Sequence, residues 1–513
     1  MFRRYSAQSR FIAFLMTFSL AVFLSGCGGG GGGGAAAGGA PVAGPAITAV
    51  TPATGSPAGG NDVTIYGTDF TGATQVTFGG VPATAFTVDS ATRITATVPA
   101  GTVGRADIVV TTPTRTLTAT DAYLYYAVVS AVAGTTSGFS GDGAAATAAQ
   151  LSSPTRAAVD SVGNLYLTDS ANDRIRVVAR VDGTNFGVAM TAGNIYTVAG
   201  GGGAFGEGGA ATAAALDTPA AVAFDSDGNL FIADTGNHVI RMVPKADGTY
   251  YGIAMTANNI YTVAGTGTAE FSGDGGVATA AELDQPFGLA FDSVGNLYFP
   301  DRNNERVRVL VKTPGTYFGI SMPTANAIYT VMGDGTAGVS ANGTAAATAR
   351  LNSPTSVAFD SAGNLYVTSL GNHLIQLVAK TDGTYFGVPA TAGNAYIVAG
   401  DVVYGSSGDG GPATSARFLA PTDLAFDSAG NLYISDYGTG RVRTIAKTSG
   451  EYFGVTMTAN SIYSVAGTVG GDAGDDGAAT AAKFRGITGI AFNSDGVLYL
   501  VDQYVSRVRQ VTP

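Results

Sequence analysis

Residues 286–310 read PFGLAFDSVGNLYFPDRNNERVRVL, and residues 219–243 read PAAVAFDSDGNLFIADTGNHVIRMV. The shared phrase AFDSxGNLYxxD recurs around Asp160, Asp225, Asp292, Asp360, Asp427 and Asn493, at spacings of 65, 67, 68, 67 and 66 residues. A fixed period of this size marks a repeat architecture. Each unit carries four strand-like runs, which in the second unit are AAVAFD, NLFIAD, HVIRMVPK and NIYTVAG. Six units of four strands with turn signals between them predict a six-bladed β-propeller. The Asp-Ser-x-Gly-Asn link reads as a tight hairpin whose Gly takes the φ > 0 position.

The way the ring closes is also legible. The sixth unit stops at Val508-Arg509-Gln510-Val511-Thr512-Pro513, its third strand. The missing fourth strand stands ahead of the first unit, where Val129-Ser130-Ala131-Val132-Ala133-Gly134 matches Ile195-Tyr196-Thr197-Val198-Ala199-Gly200. An N-terminal strand therefore completes the last blade and removes two open sheet edges. Strand directions alternate within a blade. The segment before Val129 and the C-terminal Pro513 should thus share one face, opposite the channel mouth where first strands begin.

Composition agrees with an all-β chain. Of 513 residues, 75 are Gly and 19 Pro, none is Trp, and 12% are charged. The net charge of −11 disfavours nucleic acid as a partner, because phosphate binding needs a basic surface. A single cysteine excludes an internal disulfide.

That cysteine has a specific context. Arg3, Arg4 and Arg10 precede an apolar stretch from Phe11 to Phe23, too short for an ordinary membrane span. Leu24-Ser25-Gly26-Cys27 follows and resembles the bacterial lipobox. The resemblance implies cleavage before Cys27, lipidation of its thiol and acylation of its new amine. It implies a membrane anchor and an extracytoplasmic protein held on the bacterial envelope, and Gly28 after the cysteine points to the outer membrane. The glycine-rich run from Gly28 to Gly44 reads as a flexible tether with a reach of about 20–25 Å.

Between tether and repeats, strand-like Val63-Thr64-Ile65-Tyr66, Gln75-Val76-Thr77-Phe78 and Asp107-Ile108-Val109-Val110 are bounded by Gly or Pro signals. Such a pattern suits an immunoglobulin-like sandwich. The pieces GGNDVTIYGTDF, VTFGGVPA and ITATVPAG resemble the IPT/TIG family, which implies a spacer or interaction module. The expected organisation is a signal peptide at 1–26, a lipidated tether at 27–44, an IPT/TIG-like sandwich at 45–126 and the propeller at 127–513.

The repeats themselves resemble NHL repeats over all six units. Some six-bladed lyases of that type hold zinc with histidines from several blades. The two histidines here, His238 and His373, share one repeat position, where other units have Asp173, Glu305, Gly440 and Ser506. Two imidazoles fall short of a typical three-ligand catalytic zinc set, so they read first as turn residues. Asp169, Asp234, Asp301, Asp436 and Asp502 end the second strands, with Ser369 in the fourth unit. They could ring a calcium ion, but repetition favours a role in capping backbone amides of their own turns. Asp142, Asp274 and Asp409, in the glycine-rich stretches, are expected to cap the short alanine turns that follow them. The repeated aromatic pairs such as Tyr385-Phe386 are expected to pack between neighbouring blades.

Positions where the repeats disagree point toward a ligand. Arg156, Ala221, Gly288, Ser356, Asp423 and Gly489 occupy one place near the mouth, with Phe287 beside it. Arg156, Phe287, Asp423, His238 and His373 are thus the candidate ligand-binding residues, with no catalytic residue, no metal ligand and no required cofactor assigned. Calcium or zinc stays open as an alternative. No Ser-His-Asp arrangement is visible, and Cys27 is committed to lipid. The expected role is a surface-anchored binding or scaffold protein engaging a protein or carbohydrate ligand. A metal-dependent propeller enzyme of the lyase or lactonase sort and a purely structural surface element remain as alternatives, and the oligomeric state stays open.

Overall fold

The computed structural model describes residues 46–468 and 470–513. The expected signal peptide, Cys27 and the glycine-rich tether lie outside these residues. The described chain is all-β, interrupted only by three-residue 3-10 turns.

The first module is a sandwich of two sheets. One sheet orders Ile47–Thr51, Asp62–Gly67, Arg93–Thr97 and Ala85–Ser90. The other orders Thr54–Gly55, Arg115–Tyr125, Gly104–Thr112, Gln75–Phe78 and Val81–Pro82. Alternation along Gly104–Thr112 turns Ala106, Ile108, Val110 and Thr112 inward. They meet Val63, Ile65, Phe70, Phe78 and Ile94 in the core, the expected outcome of a period-two pattern.

Six antiparallel blades of four main strands follow, the first and fourth extended by the two-residue strands Ala144–Ala145 and Thr344–Ala345. Blade 1 runs from its inner strand Pro154–Val159 through Leu165–Asp169 and Arg174–Val178 to Asn194–Gly200. Blades 2 to 5 repeat the order. Blade 6 contains Ile487–Phe492, Leu498–Asp502 and Arg507–Thr512, and its outer strand is Val128–Ala133, paired antiparallel with Val128 opposite Thr512. The ring is thus closed by the N-terminal strand. Val129 is fully buried there, and Ala127 contributes to the same core.

The hairpin between first and second strands explains why its phrase repeats. Asp160 Oδ1 accepts the amides of Val162 and Asn164 at 3.0 and 2.9 Å, while Gly163 sits at φ 92°. A side chain there would be strained. Asn164 Oδ1 then accepts the Arg180 amide at 2.8 Å, tying the end of the third strand to the turn.

Each apolar cluster of the propeller spans two adjacent blades. The one between blades 1 and 2 contains Tyr166, Val177 and Phe186 from the first and Leu216, Val222 and Ile232 from the second. Phe186 stacks on Phe224 of the next blade with ring centroids 6.4 Å apart. The repeated aromatic pair is therefore inter-blade packing. In blade 2 the hydroxyl has changed places: Phe231 and Tyr251 stand where blade 1 has Tyr166 and Phe186.

The sandwich meets the propeller at the blade 5 hairpin formed by Gly450–Tyr452 and Val455–Met457. The Arg105 amide donates to Glu451 Oε2 at 3.4 Å, and Val103 packs with Phe453. This face carries Pro513 as well, which together with Val103, Tyr452 and Phe492 lines a 400 Å³ cavity. Blade 6, whose third and fourth strands come from opposite chain ends, has no such hairpin, and the sandwich joins the ring there. The mouth face stays clear of it.

Candidate functional site

The channel is not an open tube. Arg156 enters it from blade 1 and crosses to blades 4 and 5. Its terminal nitrogens donate to the carbonyls of Thr355 and Thr422 at 2.7 and 2.8 Å, and to the carboxylate of Asp423. Ser356 Oγ donates to the same carboxylate at 2.7 Å, and Asp423 Oδ2 accepts the Ile490 amide at 2.9 Å. Arg156 and Asp423 are each only 5% exposed. Burial pulls the guanidinium down to about 9, so it remains charged at neutral pH. From this layer toward Val159 and Phe224 extends a cavity of 270 Å³, walled by first-strand residues such as Ala157, Ala223 and Val357 and with Arg156, Ser356 and Asp423 in its lining. Arg156 and Asp423, expected to offer polar groups to a ligand, direct them at each other and, with Ser356 and the Ile490 amide, tie blades 1, 4, 5 and 6 together.

The histidine position is a second inter-blade clip. Asp173 Oδ1 accepts the Thr218 amide at 2.9 Å, and Glu305 Oε2 the Ser353 amide at 2.6 Å. His238 Nδ1 accepts the Gln285 amide at 3.1 Å, and His373 Nδ1 the Ala420 amide at 3.2 Å. All four side chains sit on left-handed residues and reach the following blade. The imidazoles must therefore carry their proton on Nε2. Among the described residues, no group of three or more His, Cys, Asp or Glu side chains converges to hold a metal.

The aspartates ending the second strands cap the lead-in to the first strand rather than their own turn. Asp169 Oδ1 accepts the Ser152 amide at 2.6 Å, and Asp301 Oδ1 the Asp284 amide at 2.7 Å. Each faces a fully buried arginine on the third strand: Asp169 with Arg176 at 3.3 Å, Asp301 with Arg308 at 3.1 Å, Asp502 with Arg509 at 3.6 Å. A second carboxylate reaches the same arginine from outside, as in Arg176–Asp142 and Arg308–Asp274, both 2.7 Å, and Arg443–Asp409. That corrects the expected role of Asp142, Asp274 and Asp409. The alanine turns carry no side-chain cap, and these carboxylates neutralise buried guanidinium groups. Blade 4 replaces all three partners at once. Ser369, Gln376 and Asn342 stand where blade 1 has Asp169, Arg176 and Asp142, and Ser369 Oγ still accepts the Asn352 amide at 3.0 Å. Burial pushes Asp234 and Asp436 up to about 6 despite their arginines.

Above the Arg156 layer the blades stop resembling one another. The first residue after the second strand is Ser170, Thr235, Arg302, Leu370, Tyr437 or Gln503. Tyr437 of blade 5 and Tyr504 of blade 6 lie 5.6 Å apart with rings tilted by 32°, and Tyr504 is 63% exposed. Gly486 lies between them, where a Cβ would come within 2.8 Å of both rings. In the loop leading to blade 5, Val402, Val403 and Tyr404 are exposed side by side, Tyr404 at 71%. Val402 is left-handed at φ 64°, a place given to Gly267 and Gly335 in two other loops. A β-branched residue there is strained. Phe287 lies half-buried on this face, its ring 5.6 Å from the Arg156 guanidinium and 5.4 Å from that of Arg302. Of the expected ligand residues, Phe287 stands in this variable layer and His373 borders it, its ring 6.2 Å from that of Tyr404. Arg302, Tyr437 and Tyr504 also stand there, at turn positions that the repeated phrase does not single out.

Residues 45–126 match the IPT/TIG domain family. Human teneurin-1 is 26% identical over 268 residues, which cover 47% of this chain; the chain spans 8% of that protein's length. Among solved structures, an auxiliary nutrient binding protein from Bacteroides ovatus aligns with 92% of this chain and 99% of its own, at 16% identity and a TM-score of 0.50. A Bacteroides thetaiotaomicron protein of unknown function covers the same shares at 16% identity and a TM-score of 0.51. At such identities the likeness extends to the fold alone.

Proposed function

We propose that the chain is a lipid-anchored, extracytoplasmic binding protein that captures a carbohydrate on the mouth face of its propeller. One observation carries the reading: the six blades share one framework yet diverge at the mouth turns, where they expose aromatic rings. A tilted pair such as Tyr437–Tyr504 offers apolar faces to the C–H faces of sugar rings, with hydroxyls for their polar edges. The blades lock the channel below, so the ligand rests on the mouth and does not enter the ring.

The anchor reading rests on Leu24-Ser25-Gly26-Cys27 and the glycine run after it. A sandwich joined to the face opposite the mouth suits such an anchor, because the binding face then points away from the membrane. Cys27→Ser should abolish labelling of the protein by a fatty-acid probe in the producing cell, and unchanged labelling would remove the anchor from the account.

Binding is tested by applying the purified chain, from residue 45 onward, to an oligosaccharide array. Signals lost in a Tyr437→Ala/Tyr504→Ala variant of unchanged melting temperature are the expected result. Signals indifferent to that variant would sink the mouth reading. The exposed Val402–Val403–Tyr404 loop favours a second reading, a protein partner docked on the same face, since exposed apolar clusters mark protein interfaces. In that case the array stays blank and a Tyr404→Ser variant loses the partner.

A further inference from the structure

We propose that Arg302 and Phe287 form a seat for the carboxylate of an acidic sugar, a uronate residue within the captured oligosaccharide. The inference rests on the carbohydrate reading and names its substrate class.

Arg302 opens the 3-10 turn Arg302–Asn304 on blade 3. Among the described residues it is the one buried or half-buried arginine with neither an ion pair nor a side-chain hydrogen bond. Its Nε is shut off from solvent without an acceptor. The Nε atoms of Arg156 and Arg308 lack acceptors too, but their terminal nitrogens are supplied, Arg156 by Asp423 and Arg308 by Asp274 and Asp301, as are those of Arg306 by the carbonyls of Asn304 and Asp334. Burial lowers the Arg302 pKa, and Glu305 offsets that only in part. Removing water from a cation without supplying a counter-charge is unfavourable. An arriving anion corrects it.

Phe287 is a second departure from the framework at the same spot. Blades 1, 4 and 5 have Thr155, Thr355 and Thr422 there, each donating its hydroxyl to a carbonyl of the next blade at 3.0, 3.0 and 3.3 Å. Phe287 gives up that clip and sets its ring against the Arg302 guanidinium. The inner strand of blade 3 is correspondingly reduced to Ala290–Phe291. Rules broken without a gain in stability mark functional places. An aromatic ring under a guanidinium holds its plane, and the planar fork suits a two-oxygen anion.

The surrounding charge selects the kind of anion. The chain carries −11 overall, and Asp173, Asp217, Asp284 and Glu305 stand on the mouth-side turns. A densely charged polyanion is repelled there, whereas one carboxylate placed directly on Arg302 gains more from contact than it loses to the field.

The test is calorimetric titration of the chain from residue 45 onward with an oligosaccharide of neutral sugars carrying a single uronate, its methyl ester and its counterpart carrying a single sulfate. The single-uronate oligosaccharide should bind, and its ester should bind about tenfold more weakly, the loss of one charge-assisted contact. Arg302→Ser, which installs the residue of blade 1, should erase the difference between acid and ester while leaving melting unchanged. Equal binding of acid and ester by the unmodified chain would overturn the carboxylate seat yet leave the mouth as a sugar site. A sulfated ligand bound more tightly than the acid, with the same dependence on Arg302, would overturn the choice of carboxylate. No binding of any of the three, with Arg302-dependent binding of an acidic peptide, would overturn both this inference and the carbohydrate reading.

Discussion

The guanidinium of Arg156 on blade 1 and the carboxylate of Asp423 on blade 5 meet across the channel, and the same carboxylate holds the Ile490 amide of blade 6 between them in the ring. The pair acts as a crossbar, with the carbonyls of Thr355 and Thr422 completing its coordination. Removing one partner leaves an uncompensated buried charge, so Arg156→Met or Asp423→Leu alone should cost about 3–5 kcal/mol. The double variant should recover much of that loss, because a hydrophobic replacement removes the charge problem. Chemical denaturation of the three variants checks this, and strictly additive losses would show that the pair is not coupled.

Blade 4 supplies a built-in experiment on the buried triads. Ser369→Asp alone places a carboxylate opposite neutral Gln376 and should lower the melting temperature. Adding Gln376→Arg should restore part of it, with a coupling energy within the usual range of about 0.5–3 kcal/mol for contacting groups. Thermal melts in a double-mutant cycle give that number directly.

The His373 clip works only with an unprotonated Nδ1, and burial lowers the pKa of this imidazole. A base whose folded pKa is depressed stabilises the fold above its unfolded value of 6.5, and that contribution is lost as pH falls below it. The buried Asp234 and Asp436, raised to about 6, act in the opposite sense, since ionising them in the fold is disfavoured as pH rises from about 4. His373→Asp copies the Asp173 clip and keeps the acceptor. Melting curves between pH 5 and pH 8 should therefore lose the His373 component in this variant: relative to the unmodified chain it gains stability toward pH 5.

Much of the architecture was legible because it is periodic. Hairpin aspartates at a near-constant spacing counted the blades, and one orphan strand at Val129 announced the closure. The buried triads were half legible. Asp169 and its counterparts were visible, but their arginines on the third strand looked like ordinary polar faces. The signal lay in blade 4, where Asp to Ser, Arg to Gln and Asp to Asn occur together, the mark of three groups in contact. The mouth was least legible. Arg156 and Asp423 varied between repeats as ligand residues would, yet their variation is complementary across the channel, which spacing along the chain does not disclose.

Deleting residues 127 to 134 should strip blade 6 of its outer strand and expose the edge of Arg507–Thr512. An unpaired edge invites association. Size-exclusion chromatography should show the truncated chain shifting to oligomers with a lowered melting temperature, whereas a monomer of unchanged stability would mean that the strand does not close the ring.

Capture at the mouth is tested most directly by hydrogen exchange on the chain with and without a saturating oligosaccharide identified on the array. Slower exchange is expected in the mouth turns, at 302–305, 437–440 and 503–506, with the opposite-face hairpins at 315–322 and 383–390 unchanged. Protection confined to those hairpins, or to the sandwich at 46–126, would place the ligand on the other side of the ring and contradict the account.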